Sequence, residues 1–235
     1  MLEKDSNLVA AVRSAKMKSC QTVGNYISMG LYPQDLSCGQ TPIEWIVLDY
    51  DAEKNKTLLL SRYGLDTAPF SKDTNKYTWE ECTLRTWLNN EFLNKAFNAK
   101  EKAAILNTNL DNSSSEGYNG WYTKAGKNTS DRIFLLSYAE AKRYLGVTAN
   151  SAIINTKACV APTDYAIARG AETRDDLKTA DGALAGWWWL RTAGYSTHET
   201  TIVNRSGVLG ICGYVDNGHG VVRPAFWLNL DSDIF

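Results

Sequence analysis

Short apolar segments bounded by turn-forming residues open the folded part of the chain. They cover residues 26–32, 42–50 and 56–63, and the polar residues 51–55 separate the last two. Apolar segments of this length, joined by a polar pentapeptide, predict strands and an antiparallel hairpin. The chain is therefore expected to begin with an antiparallel sheet.

The spacing of apolar residues then changes to that of an amphipathic helix. Thr78 can cap the first helix, because Glu80 and Glu81 follow in its first turn. Ser137 and Pro162 are typical helix-starting residues, and Gly146 and Gly170 are typical helix-ending residues. The predicted helices cover about 79–97, with a break near Asn89 or Asn90, then about 100–106, 137–146 and 162–170. Residues 6–18 are expected to form a short helix or a docking tail.

Two polar segments and one apolar segment lie among these helices. Residues 111–130, rich in Asn, Ser and Gly, predict a long exposed loop that is anchored by Trp121 and Tyr122. Residues 133–136 predict a short buried strand, and residues 172–186 are a second polar stretch.

Glycines recur every few residues after Trp187, which argues against helices there. Strands are predicted at about 200–204, 208–214 and 221–229. The order of strands, helices and strands predicts one α+β domain over residues 24–235, with antiparallel sheets, flanking helices and long loops. Residues 1–23 precede it as an N-terminal tail or short helix.

Composition and charge narrow the function classes. Among 235 residues, 25 basic and 26 acidic side chains leave a net charge of −1, so no polybasic field exists to attract nucleic acid or anionic lipid. Direct membrane insertion is not expected, because no apolar run of about eighteen residues occurs. Residues 1–18 lack the apolar core of a secretory signal. The expected location is cytoplasmic, or the cell surface if an upstream signal or anchor is missing.

The cysteines are an odd set without CxxC spacing, which argues against a zinc ribbon and a complete disulfide framework. Buried or free thiols in a reducing setting are the simpler expectation. The cysteines are Cys20, Cys38, Cys82, Cys159 and Cys212.

Residues 187–228 differ in character from the rest of the chain. Two apolar flanks, residues 187–191 and 222–228, enclose a glycine-rich stretch of mixed side chains. The aromatic residues of the flanks are expected to form a wall in which each ring buries about 150 to 250 Å². A rigid frame around a chemically mixed loop sheet is a common construction of recognition proteins. The wall consists of Trp187, Trp188, Trp189, Phe226 and Trp227.

Seven segments in a consistent order cover nearly all of residues 24–230. They are GNYISMGLYPQ at 24–34, PIEWIVLD at 42–49, TWEECTLRTWLNNEFLNKAF at 78–97, IFLLS at 133–137, PTDYAIARGA at 162–171, WWLR at 188–191 and VRPAFWLNL at 222–230. Together they resemble a widespread bacterial domain of unassigned function, related to the C-type lectin fold in the branch shared with the formylglycine-generating enzyme. The resemblance implies a C-type-lectin-like fold.

Some members of that family are similar to the variable proteins of diversity-generating retroelements, in which an adenine-mutagenising reverse transcriptase rewrites codons near the carboxy terminus. The rewritten codons lie between the WWLR-like and VRPAF-like segments, and their side chains share one solvent-facing surface. Exposed isoleucines beside His, Tyr and Cys are what random codon replacement would leave. By position, the resemblance implies a variable ligand-binding surface made of Tyr195, Thr197, His198, Glu199, Ile202, Gly210, Ile211, Cys212, Tyr214, Asp216, Asn217 and His219.

Several residues invite a chemical interpretation instead. His198, Glu199, Cys212, Asp216 and His219 are competent metal ligands, but their spacings match no zinc pattern. A nucleophilic pair of Cys212 and His219 lacks an orienting group and an oxyanion hole. We therefore predict no metal, no cofactor and no catalytic residue. A structural calcium ion held by Asp111, Asn112, Asn119 and Asp131 stays open, although no EF-hand-like spacing appears.

The enzyme branch of the resemblance is the more serious rival. Its activity needs a pair of cysteines that holds copper, and only Cys212 lies in the carboxy-terminal segment. Fold alone does not transfer function. Arg191 and Arg223 lie beside the aromatic flanks, where stacking on tryptophan or pairing with a buried carboxylate is favoured over binding an anion.

We predict a non-catalytic recognition protein whose ligand is a protein or a glycan on another cell, phage or host surface. Affinity is expected from shape complementarity, with Tyr195 and Tyr214 as hot spots. The alternative is a fixed structural or assembly module of a larger bacterial protein. A third interpretation is an uncharacterised oxidoreductase similar to the formylglycine-generating enzyme.

Overall fold

The computed structural model describes residues 2–115, 122–149 and 152–234, with side chains from residue 11 onward. Elements are numbered along the chain. The helices are α1 (Leu2–Cys20), α2 (Thr83–Trp87), α3 (Leu93–Ala96), α4 (Ala99–Ala104), α5 (Tyr138–Leu145) and α6 (Asp164–Ala168), with a π-helical turn at Leu88–Phe92 between α2 and α3. The strands are β1 (Tyr26–Pro33), β2 (Gln40–Asp51), β3 (Lys56–Ser61), β4 (Asp66–Thr67), β5 (Thr108–Leu110), β6 (Thr129–Asp131), β7 (Thr173–Lys178), β8 (Leu184–Gly186), β9 (Trp188–Ala193), β10 (Glu199–Val203), β11 (Leu209–Tyr214), β12 (Val221–Val222) and β13 (Ala225–Asn229). The protein is α+β, as the sequence predicts.

The first large sheet is antiparallel and has the strand order β1-β2-β3-β13. Its first three strands match the three predicted segments, and residues 51–55 join β2 to β3 as the predicted hairpin. β13 lies against β3, with Phe226 opposite Leu59. The ring of Phe226 meets the buried indole of Trp45 edge to face, with 4.7 Å between centroids. The two ends of the chain are thus joined in one sheet.

The second large sheet has the order β11-β10-β9-β12-β4 and carries the candidate surface. Its pairings are antiparallel except that of β12 with β9. The strand predicted over 221–229 is split, because β12 belongs to the second sheet and β13 to the first. Pro224 has no N–H to donate to a ladder, so the chain leaves one sheet and enters the other at this point. The two sheets share one hydrophobic core.

The helix predicted over 79–97 is shorter than expected and interrupted. It begins at Thr83, where the Cys82 thiol rather than Thr78 accepts a hydrogen bond from the Arg85 N–H at 3.4 Å. The predicted break near Asn89 is confirmed as the π-helical turn. The Asn89 amide donates to the carbonyls of Arg85 and Ile133, which ties the turn to the neighbouring segment.

Local capping determines the next helices. α4 and α5 each begin with a reciprocal capping box, made by Asn98 with Glu101 and by Ser137 with Glu140. Gly146 ends α5 with a φ of 68°, which an L side chain rarely adopts. α6 begins at Asp164 after the Thr163 cap, two residues later than predicted. Residues 133–136 are buried as predicted but make a single bridge, Phe134 with Ala225, instead of a strand.

The polar segments contain more structure than predicted. Residues 172–186 include an antiparallel hairpin of β7 and β8. β5 and β6 pair where the predicted loop 111–130 begins and ends, so they close the loop at its base. Tyr122 is 61% exposed and does not anchor that loop, whereas Asn112 and Thr123 are buried. The predicted anchor Trp121 lies outside the described residues.

Residues 6–18 of the predicted tail lie within the longer helix α1, which contacts β1. Its last residue, Cys20, is buried, and Met17 packs against the core. No helix among the described residues is long and apolar enough to cross a membrane.

Candidate ligand-binding surface

The tryptophans of the first flank form the buried frame of the second sheet. Trp188 and Trp189 are fully buried, and Trp187 is 6% exposed. The indole N–H of Trp187 donates to a Glu172 carboxylate oxygen at 3.4 Å. The indole N–H of Trp188 donates to the Ala158 carbonyl at 3.0 Å, and that of Trp189 donates to the Ala68 carbonyl at 2.9 Å. The rings of Trp187 and Trp189 meet edge to face with centroids 4.7 Å apart. A buried indole needs such an acceptor, so this wall is fixed by hydrogen bonds as well as packing.

Trp227, which was predicted to belong to this wall, is only partly buried and packs against the core from β13 in the first sheet. In β13, Phe226 and Leu228 are buried and Trp227 is half-buried, as strand alternation requires. The ammonium group of Lys56 lies 4.2 Å from the centroid of the Trp227 ring. The sequence does not reveal this orientation because Arg223 and Pro224 interrupt the alternation.

Both arginines beside the flanks are almost completely buried. Arg191 forms two contacts with the Glu140 carboxylate and donates to the Leu135 carbonyl at 2.9 Å. Arg223 lies over the Trp188 ring, with 5.0 Å from its guanidinium carbon to the ring centroid. The predicted carboxylate pairing is confirmed for Arg191, and the predicted stacking is confirmed for Arg223.

None of the twelve predicted surface residues is buried. Tyr195 is 47% exposed and Tyr214 is 64% exposed. The exposed members are Tyr195, Thr197, His198, Cys212, Tyr214, Asp216 and His219, and the half-buried members are Glu199, Ile202, Gly210, Ile211 and Asn217.

β10 and β11 bring the central members of this set together. Glu199 lies opposite Tyr214, and Ile202 lies opposite Gly210. The Tyr195 N–H donates to the Ile211 carbonyl at 3.4 Å, so the loop before β10 lies against β11. β11 is the outermost strand of its sheet. The loop that carries Tyr195 and the strand that carries Tyr214 are therefore neighbours at the edge of the sheet.

The two isoleucines are not the exposed residues that the sequence suggests. Ile202 and Ile211 are half-buried and pack against the core. A Cβ at Gly210 would lie 2.8 Å from Cγ1 of Ile202, and a Cβ at Gly213 would lie 2.6 Å from its Cγ2. Ile202 thus lies over these two glycines, and a larger residue at 210 requires a change at 202.

The loop that carries His198 and Glu199 has its own constraints. The Glu199 carboxylate accepts hydrogen bonds from the Ser196 N–H at 3.2 Å and the Ser196 hydroxyl at 2.6 Å. His198 has a φ of 105°, and its Nδ1 lies 2.8 Å from the Thr74 carbonyl. A β-branched residue at 198 would be strained. Glu199 and His198 therefore hold the loop in addition to being accessible.

Hydrogen bonds to residues of other segments fix the turn that carries Asp216, Asn217 and His219. The Thr67 hydroxyl lies 2.7 Å from the Gly218 carbonyl and 2.9 Å from the Gly220 carbonyl, and it can donate to either. The Asn217 side chain accepts from the His219 N–H at 2.9 Å. Nδ1 of His219 lies 2.7 Å from the Gly170 carbonyl, so that nitrogen carries the proton.

These contacts bear on the metal and nucleophile interpretations. The two histidine rings contact carbonyls of different segments, at Thr74 and Gly170. In the described part of the chain, no group of three or more His, Cys, Asp or Glu is arranged to hold a metal ion. Partial burial and the nearby Glu199 carboxylate raise the pKa of the Cys212 thiol, which lowers its thiolate fraction at neutral pH.

All five cysteines are free, so no disulfide joins them. Cys20, Cys82 and Cys159 are buried, and Cys38 and Cys212 are exposed. The expectation of buried or free thiols is confirmed.

The suggested calcium ligands already accept hydrogen bonds from protein groups. Asp131 accepts from Arg85 Nε at 2.7 Å, Trp79 Nε1 at 2.9 Å and the Thr129 hydroxyl at 2.8 Å. The Asn112 side-chain oxygen accepts from Arg191 Nε at 3.1 Å. Arginine beside both residues disfavours a cation there. Asn119, which was proposed with them, lies outside the described residues.

Sequence reasoning missed the residues that support the surface. Ser196 and Glu199 are three apart, a spacing that could have indicated that the Glu199 carboxylate accepts hydrogen bonds from Ser196. Thr67, Thr74 and Gly170 are far from the surface in sequence, and only the fold brings them to it.

The fold and surface define an α+β protein in which a buried aromatic frame supports a mixed, accessible edge of one sheet. The chain belongs to the family described as Domain of unknown function (DUF6273), which matches residues 54–230. None of the curated proteins matches the chain. None of the solved structures matches it either.

Proposed function

We propose that this protein is a non-catalytic recognition module that binds its ligand through the surface of residues 195–219. One observation carries the proposal: all twelve predicted positions are accessible, while the tryptophans of the preceding flank are buried. A surface can change its chemistry without loss of the fold when separate residues provide the stability. Tyr195 and Tyr214 are the anchors, because exposed tyrosines offer large contact area with few rotamers to order.

The finer form of the proposal is a C-type-lectin-like scaffold that acts as the variable protein of a diversity-generating retroelement. It rests on the resemblance of the seven segments and on the position of the surface between the WWLR and VRPAF segments. The ligand is a protein or a glycan on another cell, phage or host surface. The net charge of −1 favours shape complementarity over long-range attraction as the source of affinity.

Gene sequences test the diversified form. Close copies of this gene should differ mainly at the twelve codons, and a near-copy of codons 187–228 should lie beside a reverse transcriptase gene. Substitutions should be confined to positions where that template copy has adenine. Copies that differ equally at the frame codons, or that have a constant surface, would contradict diversification.

Binding is tested with arrays of defined glycans and purified bacterial and phage surface proteins. Tyr195→Ala combined with Tyr214→Ala should weaken the interaction with any bound ligand by about tenfold or more, because hot-spot aromatics dominate interface energies. The matched control is Leu36→Ala with Ile167→Ala, which shortens two side chains that are 71% and 44% exposed elsewhere. Equal binding by both double variants would show that another surface is used.

A fixed assembly module is the second candidate, and one observation favours it. Glu199, His198 and His219 hold loop geometry through Ser196, Thr74 and Gly170. Substitutions at these three positions should therefore lower the stability of the fold more than substitutions at Tyr214 or Asp216. A fixed module predicts that gene copies preserve all twelve residues, tyrosines included.

A further inference from the structure

Arg223 differs from Arg191 in that no described carboxylate pairs with its charge. It is 2% exposed, and its Nε donates to the Ser61 carbonyl at 3.0 Å. Its Nη1 is buried without a hydrogen-bond partner, and no described carboxylate lies within ion-pair distance of the guanidinium. Arg191 is equally buried but has the Glu140 carboxylate and three oxygen acceptors. The guanidinium of Arg191 therefore has a carboxylate and several other acceptors, whereas that of Arg223 has an Nη1 without an acceptor.

Arg223 lines a cavity of about 430 Å³ that is separate from the 195–219 surface. The first sheet, the end of α5 and the segments around 156–161 and 179–181 form its walls. This volume is in the range of small-molecule sites, which are mostly apolar with a few placed polar groups. Tyr26 and Tyr63 provide aromatic walls, and Val23, Ile46 and Ala161 provide aliphatic ones.

The charges around the cavity favour a single negative charge. Arg62, Lys157 and Arg223 line it, and Asp181 is the one carboxylate among the described residues of the lining. Arg62 already pairs with Glu44 at 2.9 Å and with Asp181 at 3.3 Å. Its guanidinium also lies over the rings of Tyr26 and Tyr63, at 4.8 and 4.9 Å. Among the described residues of the lining, Arg223 is thus the buried cation that has no carboxylate partner.

We propose that this cavity binds a small monocarboxylate with an apolar or aromatic body, whose carboxylate pairs with the Arg223 guanidinium. The planar guanidinium fork matches a carboxylate in shape and charge. A phosphate dianion fits less well, because Arg62 already has two carboxylate partners and Lys157 is exposed, so Arg223 alone offers a buried charge to the ligand. The rest of the ligand would contact the tyrosine rings and aliphatic walls.

The experiment measures binding of benzoate and hexanoate to the full chain by calorimetry at neutral pH. Benzamide, phenyl phosphate and inorganic phosphate are the comparison probes. At least one carboxylate should bind, and benzamide and both phosphates should bind about tenfold or more weakly, since a charge-assisted bond is stronger than a neutral one. Equal binding of benzamide would show that charge is not recognised. Tighter binding of either phosphate would contradict the carboxylate class, and binding of none of the probes would overturn the site.

Two variants locate the interaction. Arg223→Met removes the charge and keeps an apolar side chain, and it should abolish carboxylate binding while the apo chain keeps or gains thermal stability, because an unpaired buried charge is lost. Arg223→Lys keeps the charge without the fork and should bind more weakly than wild type. Unchanged binding by both variants would exclude Arg223, and unfolding of both would show that Arg223 is structural. The Tyr195→Ala, Tyr214→Ala variant should bind benzoate like wild type, which keeps this test independent of the proposed recognition surface.

Discussion

One turn contains two glycines with different surroundings: Gly220 packs against the buried tryptophans and Gly218 does not. A Cβ at Gly220 would lie 2.5 and 2.6 Å from Cζ3 and Cη2 of Trp187, and 2.6 Å from Cε2 of Trp189. Gly218, two residues earlier, has Pro69 Cδ at 4.0 Å as its nearest neighbour. Neither glycine has a φ in the left-handed region. Alanine at the two positions therefore differs chiefly in whether its methyl group meets the buried tryptophans.

The magnitudes follow from packing. Overfilling a packed core lowers the free energy of unfolding by about 1 to 3 kcal/mol. Replacing glycine by alanine raises it by about 0.4 to 1 kcal/mol, because the unfolded chain loses conformational entropy. Gly220→Ala should lower the free energy of unfolding by about 1 to 2 kcal/mol, and Gly218→Ala should leave it unchanged or raise it by up to about 1 kcal/mol. Urea unfolding followed by tryptophan fluorescence measures both. Equal stabilities, or a larger loss in Gly218→Ala, would refute the packing of Gly220 against the two indoles.

Three further outcomes are expected. Glu140→Gln should lower the free energy of unfolding by about 3 kcal/mol or more in urea titrations, because Arg191 loses its ionic partner in a buried setting; a loss below about 1 kcal/mol would contradict the pairing. Burial raises the pKa of the Cys20 thiol to about 11 and that of the Cys82 thiol to about 12, from 9.0. The folded state therefore retains these protons above pH 9 while the unfolded state loses them, so the free energy of unfolding is constant below pH 9 and falls above it by about 1.4 kcal/mol per pH unit for each thiol. Cys82→Ala should make this decline less steep in urea unfolding measured at several pH values. Iodoacetamide should modify Cys38 and Cys212 of the native chain before the three buried thiols, as peptide mass spectrometry would show, whereas early modification of Cys82 would contradict its burial.

Local signals made part of the fold predictable. α5 follows from Ser137, Glu140 and Gly146, whose capping interactions depend on near neighbours only. The first hairpin follows in the same way from two apolar segments and the polar turn 51–55. The hairpin of β7 and β8 was missed, because its mostly exposed, charged residues have no apolar alternation.

Contacts between distant segments were not predictable. Residues 221–229 have the pattern of a continuous strand, but their two halves pair with different sheets. Ile202 has no local feature that distinguishes it from an exposed isoleucine, and only its position over Gly210 and Gly213 reveals its packing. Likewise, the missing partner of Arg223 becomes visible only when the neighbours of its side chain are known.

Saturation substitution tests most directly whether frame and surface are independent. The chain would be displayed on yeast and its folding stability read by protease resistance, with every substitution at Tyr195, Cys212, Tyr214 and Asp216 compared with every substitution at Trp188 and Trp189. Most changes at the four surface positions should stay within about 0.5 kcal/mol of wild type, and most changes at the two tryptophans should cost about 3 kcal/mol or more. Comparable losses at both sets of positions would show that the exposed residues hold the fold and would contradict a separate recognition surface.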